Sequence, residues 1–408
     1  MIFNKQKFLP YGKHHLTKRD IFSLFKVLKG PNLTQGDYVP NFEKSLSKKV
    51  NSKYAVAVNS ATSALHLVCL ALNLKKNDWL WTSANTFVAS ANCGRYCDAS
   101  IDFVDINPNT GLICIDALER KLKIAKNNNK LPKIFVAVHF AGASCDMERI
   151  WDLSKEYNFK IIEDASHALG GKYKSKPIGN CQFSDVTIFS FHPVKIITTG
   201  EGGMISSDDD ELISIARSLS WWGRDCYCVG RQNLLSCGVC GKRFSKWIEK
   251  YDDIVDHKYV YSQMGYNLKP MDFQGAIGSV QMDKQDEIHQ LRRKNKLLIQ
   301  EHFEKIPGVR SVGELPEAET SWFGVPIICD SKKIKNDLTK HLESNKIQTR
   351  NYFAGNILMH PGYSHLDYYK NYPNACKVLD LVFFVGCSPT ITQPMIDYIG
   401  DITNKFIK

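Results

Sequence analysis

Short apolar runs alternate with helix-like segments through the first two thirds of this 408-residue chain. The runs are YAVAVNS from residue 54, WLWTSA from 79, IDFVDI from 101, KIFVAVHF from 133, KIIEDAS from 160 and VTIFSF from 186. This alternation predicts an α/β fold, in which helices cover a mostly parallel sheet. Ligands of such sheets gather at the carboxyl ends of the strands. Because Lys195, Asp164 and Ser60 each follow a run, we expect them to converge on one crevice.

The pattern changes from about residue 208 onward. A cysteine-bearing segment occupies residues 223–244, and the last third contains WFGVPIIC from residue 322 and a helical run over 331–345. These features predict a smaller α+β domain at the C-terminal end. We therefore predict a large domain over residues 1–300, with the cysteine-bearing segment as an insert, and a small domain over 301–408.

The composition is that of an ordinary globular protein, with 43% hydrophobic and 23% charged residues. The first residues contain no sustained apolar run, so we expect no export signal and a cytoplasmic location. The uncharged stretch 54–74 is interrupted by polar residues and predicts a strand, turn and helix, not a membrane span. The net charge of +11 is dispersed, which favours small anionic ligands over nucleic acid.

The segment FSFHPVKIITTGEGG, residues 189–203, places Lys195 between a β-like run and a glycine-rich turn. A lysine in this position can present an amine to an aldehyde cofactor, provided that burial or nearby positive charge makes the neutral amine accessible. The alternative is an ordinary solvated lysine, because most lysines lie on the surface.

The segment NSATSALHL, residues 59–67, joins a strand to an apolar helix. The free amides and the positive end of that helix can bind a phosphate, and Thr62 and Ser63 are the expected contacts. Simple capping of the helix is the alternative, since serine and threonine are favoured there in any case.

Asp164 follows a strand that we expect to be buried. A carboxylate there can pair with a protonated pyridine nitrogen, as in pyridoxal phosphate chemistry; the alternative is a structural cap. Phe87 can stack on the ring, or simply pack in the core. His167 can contact the ring or its phenolic oxygen, or be a core histidine. Ser190 and Asn267 are further candidate phosphate ligands.

Four segments, NSATSALHL, IIEDASHALG, FSFHPVKIITTGEGG and GYNLKPMDFQGAIG, resemble in their order and spacing the DegT/DnrJ/EryC1/StrS family of pyridoxal phosphate enzymes acting on nucleotide-linked sugars. The resemblance implies the type I aminotransferase fold and a homodimer with active sites at the interface. It implies that Lys195 forms the Schiff base, that Asp164 faces the pyridine nitrogen and that Phe87 stacks on the ring. The implied phosphate ligands are Thr62, Ser63 and Ser190, with Asn267 from the neighbouring subunit.

Other segments, WWGRDCYC, CGKRF, DHKYVYSQMGYNLKPMD and QTRNYFAGN, resemble the CDP-4-keto-6-deoxyglucose 3-dehydratase branch of this family. That branch carries a two-iron two-sulfur cluster and has histidine in place of the Schiff-base lysine. This chain has Lys195 at the histidine position and Ser166 where the branch supplies a cluster cysteine. Because imidazole cannot form a Schiff base and lysine can, Lys195 favours amino transfer over dehydration.

The cysteine-bearing segment supplies four thiols with local ligand spacing, from Cys226, Cys228, Cys237 and Cys240. They suit a structural zinc ion, or an iron–sulfur cluster completed in a new way, with Cys181 as a further candidate ligand. A loop of free thiols is the alternative.

Together, these features predict a pyridoxal phosphate-dependent aminotransferase that converts a nucleotide-linked keto sugar to an amino sugar for surface polysaccharide synthesis. Glutamate is the expected amino donor by family analogy. Arg224, Lys269 and Arg350 are candidate partners of the nucleotide phosphates. The alternatives are a pyridoxamine phosphate-dependent 3-dehydratase with an iron–sulfur cluster, and a binding protein that kept the fold without the activity.

Overall fold

The computed structural model describes residues 8–224, 244, 248–256 and 259–407. All four cysteines of the predicted metal site, Cys226, Cys228, Cys237 and Cys240, lie outside the described residues. The structure therefore leaves the predicted metal site untested.

The strands of the described chain are β1 (Tyr54–Val58), β2 (Trp79–Ser83), β3 (Ser100–Val104), β4 (Ile134–Val138), β5 (Lys160–Asp164), β6 (Lys172–Tyr173), β7 (Lys176–Pro177), β8 (Val186–Ser190), β9 (Gly203–Ser207), β10 (Val309–Ser311), β11 (Ala318–Glu319), β12 (Gly324–Cys329), β13 (Arg350–Asn351) and β14 (Val382–Gly386). The helices are α1 (Lys18–Lys29), α2 (Tyr38–Val50), α3 (Ala61–Ala71), α4 (Ala89–Arg95), α5 (Ile115–Asn127), α6 (Met147–Tyr157), α7 (Asp210–Ser220), α8 (Asp272–Asp283), α9 (Gln285–Phe303), α10 (Lys332–Ser344), α11 (Pro373–Leu381) and α12 (Gln393–Ile407). Short 3₁₀ turns occur at Phe140–Gly142, Ile357–Met359 and Tyr369–Asn371.

The central sheet has seven strands in the order β1-β9-β8-β5-β4-β2-β3. Six of them are the strands predicted from the apolar runs. The pairs from β8 to β3 are parallel, whereas β9 runs antiparallel to both of its neighbours, β1 and β8. The predicted mostly parallel sheet is thus confirmed. The sequence analysis missed β9, because this strand begins in a glycine-rich stretch with no apolar alternation.

Helices cover both faces of the central sheet, so its middle strands are buried on both sides. All five residues of β4, IFVAV, are buried, which accounts for its continuous apolar sequence. Local capping sets where several of the covering helices begin. The side chain of Asp146 accepts a hydrogen bond from the amide of Arg149 at the start of α6, and Asp209 caps α7 in the same way.

A second sheet lies in the last third of the chain, with four antiparallel strands in the order β10-β12-β14-β13. Its strand β12 and the following helix α10 agree with the smaller α+β unit predicted there. Helix α9 runs across the predicted boundary at residue 300, and β11 pairs with β6 of the earlier part of the chain. The division at residues 300 and 301 stays a prediction.

None of the helices in the described ranges is both long enough and apolar enough to cross a bilayer.

Candidate active site

A cavity of about 600 Å³ opens at the carboxyl ends of the central strands. It brings together side chains that are far apart in sequence, as the predicted topology requires. Most of the predicted site residues line it, namely Ser60, Thr62, Phe87, Asp164, His167, Ser190 and Lys195. Ser63 and Asn267 are absent from the cavity wall.

Lys195 lies in the turn that follows β8, and its side chain is enclosed by the cavity. Its Nζ atom is 2.7 Å from Nε2 of His167 and 5.0 Å from the centroid of the Phe323 ring. Burial lowers the pKa of Lys195 to about 8, although the negative charges of Asp164 and Glu201 act in the opposite direction. At pH 7 such a lysine is neutral in about a tenth of molecules, against about one in three thousand for an unperturbed lysine.

His167 lies just beyond β5 and is buried beside the lysine. Its ring is stacked on that of Phe323, with centroids 4.2 Å apart and planes 15° apart, and Phe353 lies 5.0 Å away. Burial, together with the positive charges of Lys195 and Arg292, lowers the pKa of His167 well below its ordinary value. The imidazole is therefore neutral at pH 7, so its Nε2 can accept a hydrogen bond from the lysine amine.

Asp164 ends β5 and is also buried. One carboxylate oxygen accepts a hydrogen bond of 2.6 Å from the Ser90 hydroxyl, and the other accepts a bond of 3.1 Å from the amide of Ser166. Two such bonds fix the orientation of the carboxylate. A carboxylate held in this way on the cavity wall is suited to pair with a cationic ring nitrogen.

Helix α3 begins at the cavity, and Ser60 is its N-cap. The Ser60 hydroxyl accepts a bond of 3.1 Å from the amide of Ser63, and the Ser63 hydroxyl donates to the side chain of Asn59 at 2.7 Å. Ser63 thus takes part in the capping network that the sequence analysis offered as the alternative. Gly203 of β9 packs against this helix start, where a Cβ would lie 2.5 Å from the amide nitrogen of Ala61.

Phe87 and Ser190 are the remaining predicted cofactor contacts on the cavity wall. Phe87 leaves 52% of its surface exposed, so its ring is available to a flat ligand. The Ser190 hydroxyl accepts a long bond of 3.5 Å from the amide of His192. Phe87 can therefore cover the face of a ring, and Ser190 retains capacity to contact a phosphate.

The candidate nucleotide-binding cations divide into two groups. Arg350 lines the cavity, and its guanidinium lies 4.4 Å above the ring of Tyr11, which also lines it. Lys269 and Arg224 are absent from the wall and lie over the ring of Trp222, at 3.9 and 5.0 Å. The structure therefore brings one of the three predicted cations into this cavity.

Several functional neighbours were missed by sequence analysis. Ser90 contacts Asp164, Phe323 stacks on His167, and Arg292 donates a hydrogen bond to the carbonyl of Lys195. The sequence analysis gave none of them a role at the site, because Ser90 and Arg292 lie within helices α4 and α9 and Phe323 belongs to a segment that was assigned to the C-terminal unit. Only their approach across long sequence separations connects them to the site.

Within the part of the chain that the structure describes, no group of three or more His, Cys, Asp or Glu residues could hold a metal ion. Cys181 donates a hydrogen bond of 3.3 Å to the carbonyl of Ser206, and burial raises the pKa of its thiol to about 12. The role of Cys181 as a metal ligand stays a prediction.

Comparison with known proteins gives the family. The DegT/DnrJ/EryC1/StrS aminotransferase family matches residues 15–403. The lipopolysaccharide biosynthesis protein RfbH of Salmonella typhimurium is 32% identical over 391 residues, which are 92% of this chain and 86% of that protein. A UDP-4-amino-4,6-dideoxy-N-acetyl-beta-L-altrosamine transaminase of Campylobacter jejuni is 38% identical over 299 residues, 73% of this chain and 70% of that one.

Among solved structures, the GDP-4-keto-6-deoxymannose-3-dehydratase ColD, with bound GDP-perosamine, matches with a TM-score of 0.82. It is 25% identical, and the match covers 97% of this chain and 99% of ColD. The predicted type I aminotransferase fold is confirmed by the strand order and by such matches. The chain belongs to the DegT/DnrJ/EryC1/StrS aminotransferase family, as its motifs predict.

Proposed function

We propose that this chain is a pyridoxal phosphate-dependent aminotransferase that converts a nucleotide-linked keto sugar to an amino sugar. The observation that carries the proposal is the enclosed amine of Lys195, which has a lowered pKa and shares a cavity with the buried carboxylate of Asp164. The transaminase and lipopolysaccharide relatives support this substrate class and a role in surface polysaccharide synthesis.

The donor set of the cavity fits pyridoxal phosphate. The start of α3 offers the Thr62 hydroxyl and the amides of Ala61 and Thr62 to a phosphate. Asp164 suits a protonated ring nitrogen, and the exposed ring of Phe87 suits the face of the pyridine. In this assignment Thr62 and Ser190 contact the phosphate directly, and Ser63 holds the helix start that binds it.

When bound, the cofactor supplies an aldehyde that takes up amino groups and a ring that accepts electrons. Lys195 contributes the neutral amine and moves a proton at its Nζ atom. His167 accepts a hydrogen bond from that nitrogen and, being neutral, adds no positive charge beside it. Asp164 keeps the negative charge that balances a cationic ring nitrogen. Asp164 and His167 are buried, and the low dielectric of their surroundings strengthens their electrostatic interactions.

The first experiment locates the reactive amine. Borohydride treatment of protein saturated with pyridoxal phosphate should attach the cofactor to Lys195, as mapped by peptide mass spectrometry. A Lys195→Ala variant should lose that label, whereas a surface control, Lys333→Ala, should keep it. Labelling at other lysines, with position 195 unmodified, would contradict the proposal.

The second experiment identifies the reaction. With ¹⁵N-glutamate and a panel of nucleotide-linked keto sugars, the heavy nitrogen should appear in the sugar product. A product that has lost its 3-hydroxyl without gaining nitrogen would favour the dehydratase instead. Metal analysis of the same preparation would test the zinc and iron–sulfur assignments for Cys226, Cys228, Cys237 and Cys240.

We also propose a homodimer in which Asn267 serves the neighbouring subunit's site. Asn267 does not line the cavity of its own chain, and nearby Met264 is 95% exposed. Helix α1 also exposes apolar side chains, at Ile21, Phe22 and Leu28. Clusters of exposed apolar side chains are typical of interaction sites. In this arrangement, Lys269 and Arg224 of one subunit contact the nucleotide phosphates in the other subunit's site. Arg350 contacts them in the site of its own subunit.

Mixing two inactive variants tests the dimer. Lys195→Ala and Asn267→Ala proteins should each be impaired, and refolding them together should restore about one quarter of the wild-type rate. The reason is that half of the dimers are hybrids, each with one intact site. Absence of any recovery, although the mixture sediments as a dimer, would refute the shared site. The cytoplasmic location stays a prediction.

A further inference from the structure

Arg292, on helix α9, is almost completely buried, with 1% of its surface exposed. Its Nη1 atom donates to the carbonyl oxygens of Trp322 and Phe323, at 3.1 and 3.2 Å. Its Nη2 atom donates to the carbonyl oxygen of Lys195, at 3.1 Å. One guanidinium thus joins the turn that carries the lysine to the segment that enters β12.

The burial of this cation is weakly compensated. Among the described residues, no acidic side chain forms an ion pair with Arg292, and its buried Nε atom has no hydrogen-bond partner. Burial lowers the pKa of the guanidinium, although the thiol of Cys387 acts to raise it. Its interactions in the site are instead the three hydrogen bonds to backbone carbonyls, and removing the guanidinium would leave those carbonyls without this donor. These bonds reach two chain segments that are far apart in sequence, so the arginine fixes the segments relative to each other.

The peptides that Arg292 joins carry two side chains that meet in the site. The Phe323 ring is stacked on His167, and the Lys195 amine lies 2.7 Å from His167 and 5.0 Å from the Phe323 ring. The amine is linked to its backbone by a chain of four flexible carbons. Its position against His167 thus depends on how firmly both backbone segments are held.

We propose that Arg292 is a positioning residue for Lys195, because it fixes the lysine peptide against the Phe323 peptide so that the amine stays within reach of His167. This inference rests on the proposed function of Lys195. A planar guanidinium suits the task, since its donors point in fixed directions and can serve several carbonyls at once. The other charged groups near the amine are Asp164 and Glu201.

The test measures the amine without the cofactor. In cofactor-free protein, the rate at which a small acylating reagent modifies Lys195 is followed against pH by peptide mass spectrometry. Loss of the three hydrogen bonds in Arg292→Met should release the amine toward solvent and raise its pKa. We expect the midpoint of the pH profile to rise by about one pKa unit, which lowers the neutral fraction of the amine at pH 7 about tenfold. Arg292→Lys keeps the charge with fewer donors, and its reactivity should lie between that of Arg292→Met and the wild type.

The neighbouring Arg293 provides a matched control. Its guanidinium binds Glu314 and the carbonyl of Thr320, away from Lys195. Arg293→Gln should leave the pH profile of Lys195 unchanged even if it lowers the melting temperature. In the loaded enzyme, Arg292→Lys should lower kcat more than it raises KM for the sugar.

Two outcomes decide the inference. A folded Arg292→Lys protein with the wild-type pH profile of Lys195 and the wild-type kcat would overturn it, whether or not Arg292→Met folds. This result leaves the proposed function intact if borohydride still labels Lys195 in the wild-type protein. Failure of that labelling would instead remove the proposed function itself.

Discussion

The side-chain amine of Lys195 and Nε2 of His167 lie 2.7 Å apart inside the cavity. The charge of the protonated lysine disfavours protonation of His167, because two cations at this distance repel strongly in a buried site. The pKa of the histidine is low for that reason and because of its burial, and burial lowers the pKa of the lysine to about 8. The pair therefore shares one proton at neutral pH, and that proton stays on the lysine in most molecules.

The reactivity of Lys195 should rise with pH around a midpoint of about 8. Only the neutral amine is nucleophilic, and a lowered pKa makes it available at lower pH than in an ordinary lysine. Acylation of cofactor-free protein, mapped by mass spectrometry, gives the midpoint. Lys333 is an internal control, because the carboxylate of Asp337 raises its pKa and its midpoint should be higher. Equal midpoints for the two lysines would contradict the assignment.

Asp164→Asn should lower kcat by roughly 10²–10⁴-fold, a loss typical for a group that stabilises charge in the reaction. The amide cannot balance a cationic ring nitrogen, although its size is almost unchanged. Ser90→Ala removes only the bond of 2.6 Å to this carboxylate and should cost roughly 1.5–3 kcal/mol in kcat/KM. Steady-state kinetics should show a larger loss of activity in Asp164→Asn than in Ser90→Ala. A Ser90→Ala loss as large as that of Asp164→Asn would give the serine a more direct role.

Asp20 should make stability depend on pH in the acid range. Burial acts to raise its pKa, but hydrogen bonds from Lys284, Thr17 and Gln281 outweigh burial and lower it. A lowered pKa contributes stability that is present above the unfolded value of about 3.8 and is lost as the pH falls through the lower, folded value.

Asp20→Asn should therefore destabilise the protein by roughly 3–5 kcal/mol at pH 7, because it leaves the Lys284 ammonium buried without its partner. Melting curves should show that the difference from wild type shrinks below pH 4. Asp283→Asn, which affects an exposed pair with Arg19, is the control and should change stability by about 1 kcal/mol or less. A constant difference at all pH values would exclude the charge as the cause.

Gly203→Ala should disturb the phosphate end of the cavity. The added Cβ would lie 2.5 Å from backbone atoms of Ser60 and Ala61, and backbone cannot move aside as a flexible side chain can. We expect a loss of roughly 1–3 kcal/mol in stability and weaker binding of pyridoxal phosphate, measured by thermal melting and titration. Gly313→Ala meets nothing within 4 Å and should leave both unchanged. If Gly203→Ala bound the cofactor with unchanged affinity, the contact between Gly203 and the start of α3 would have no role in phosphate binding.

The sequence was sufficient for the features that local patterns encode. The apolar runs located six strands of the central sheet, and the positions of Lys195, Asp164 and Ser60 after three of them predicted their convergence. This works because a strand's burial on both faces demands a continuous apolar run, and because parallel strands bring their carboxyl ends to one edge. The family followed from motifs at fixed order, and it is confirmed.

The tertiary structure alone decided which side chains touch. The Ser63 hydroxyl donates to Asn59, and its role as a phosphate ligand stays a prediction. The contacts of Ser90 and Arg292 had no signal in the sequence. Arg292 and Lys195 are distant along the chain, and no periodicity links a residue on one helix to a carbonyl in a remote turn. Such contacts arise from the packing of whole elements, which local preferences limit but do not determine.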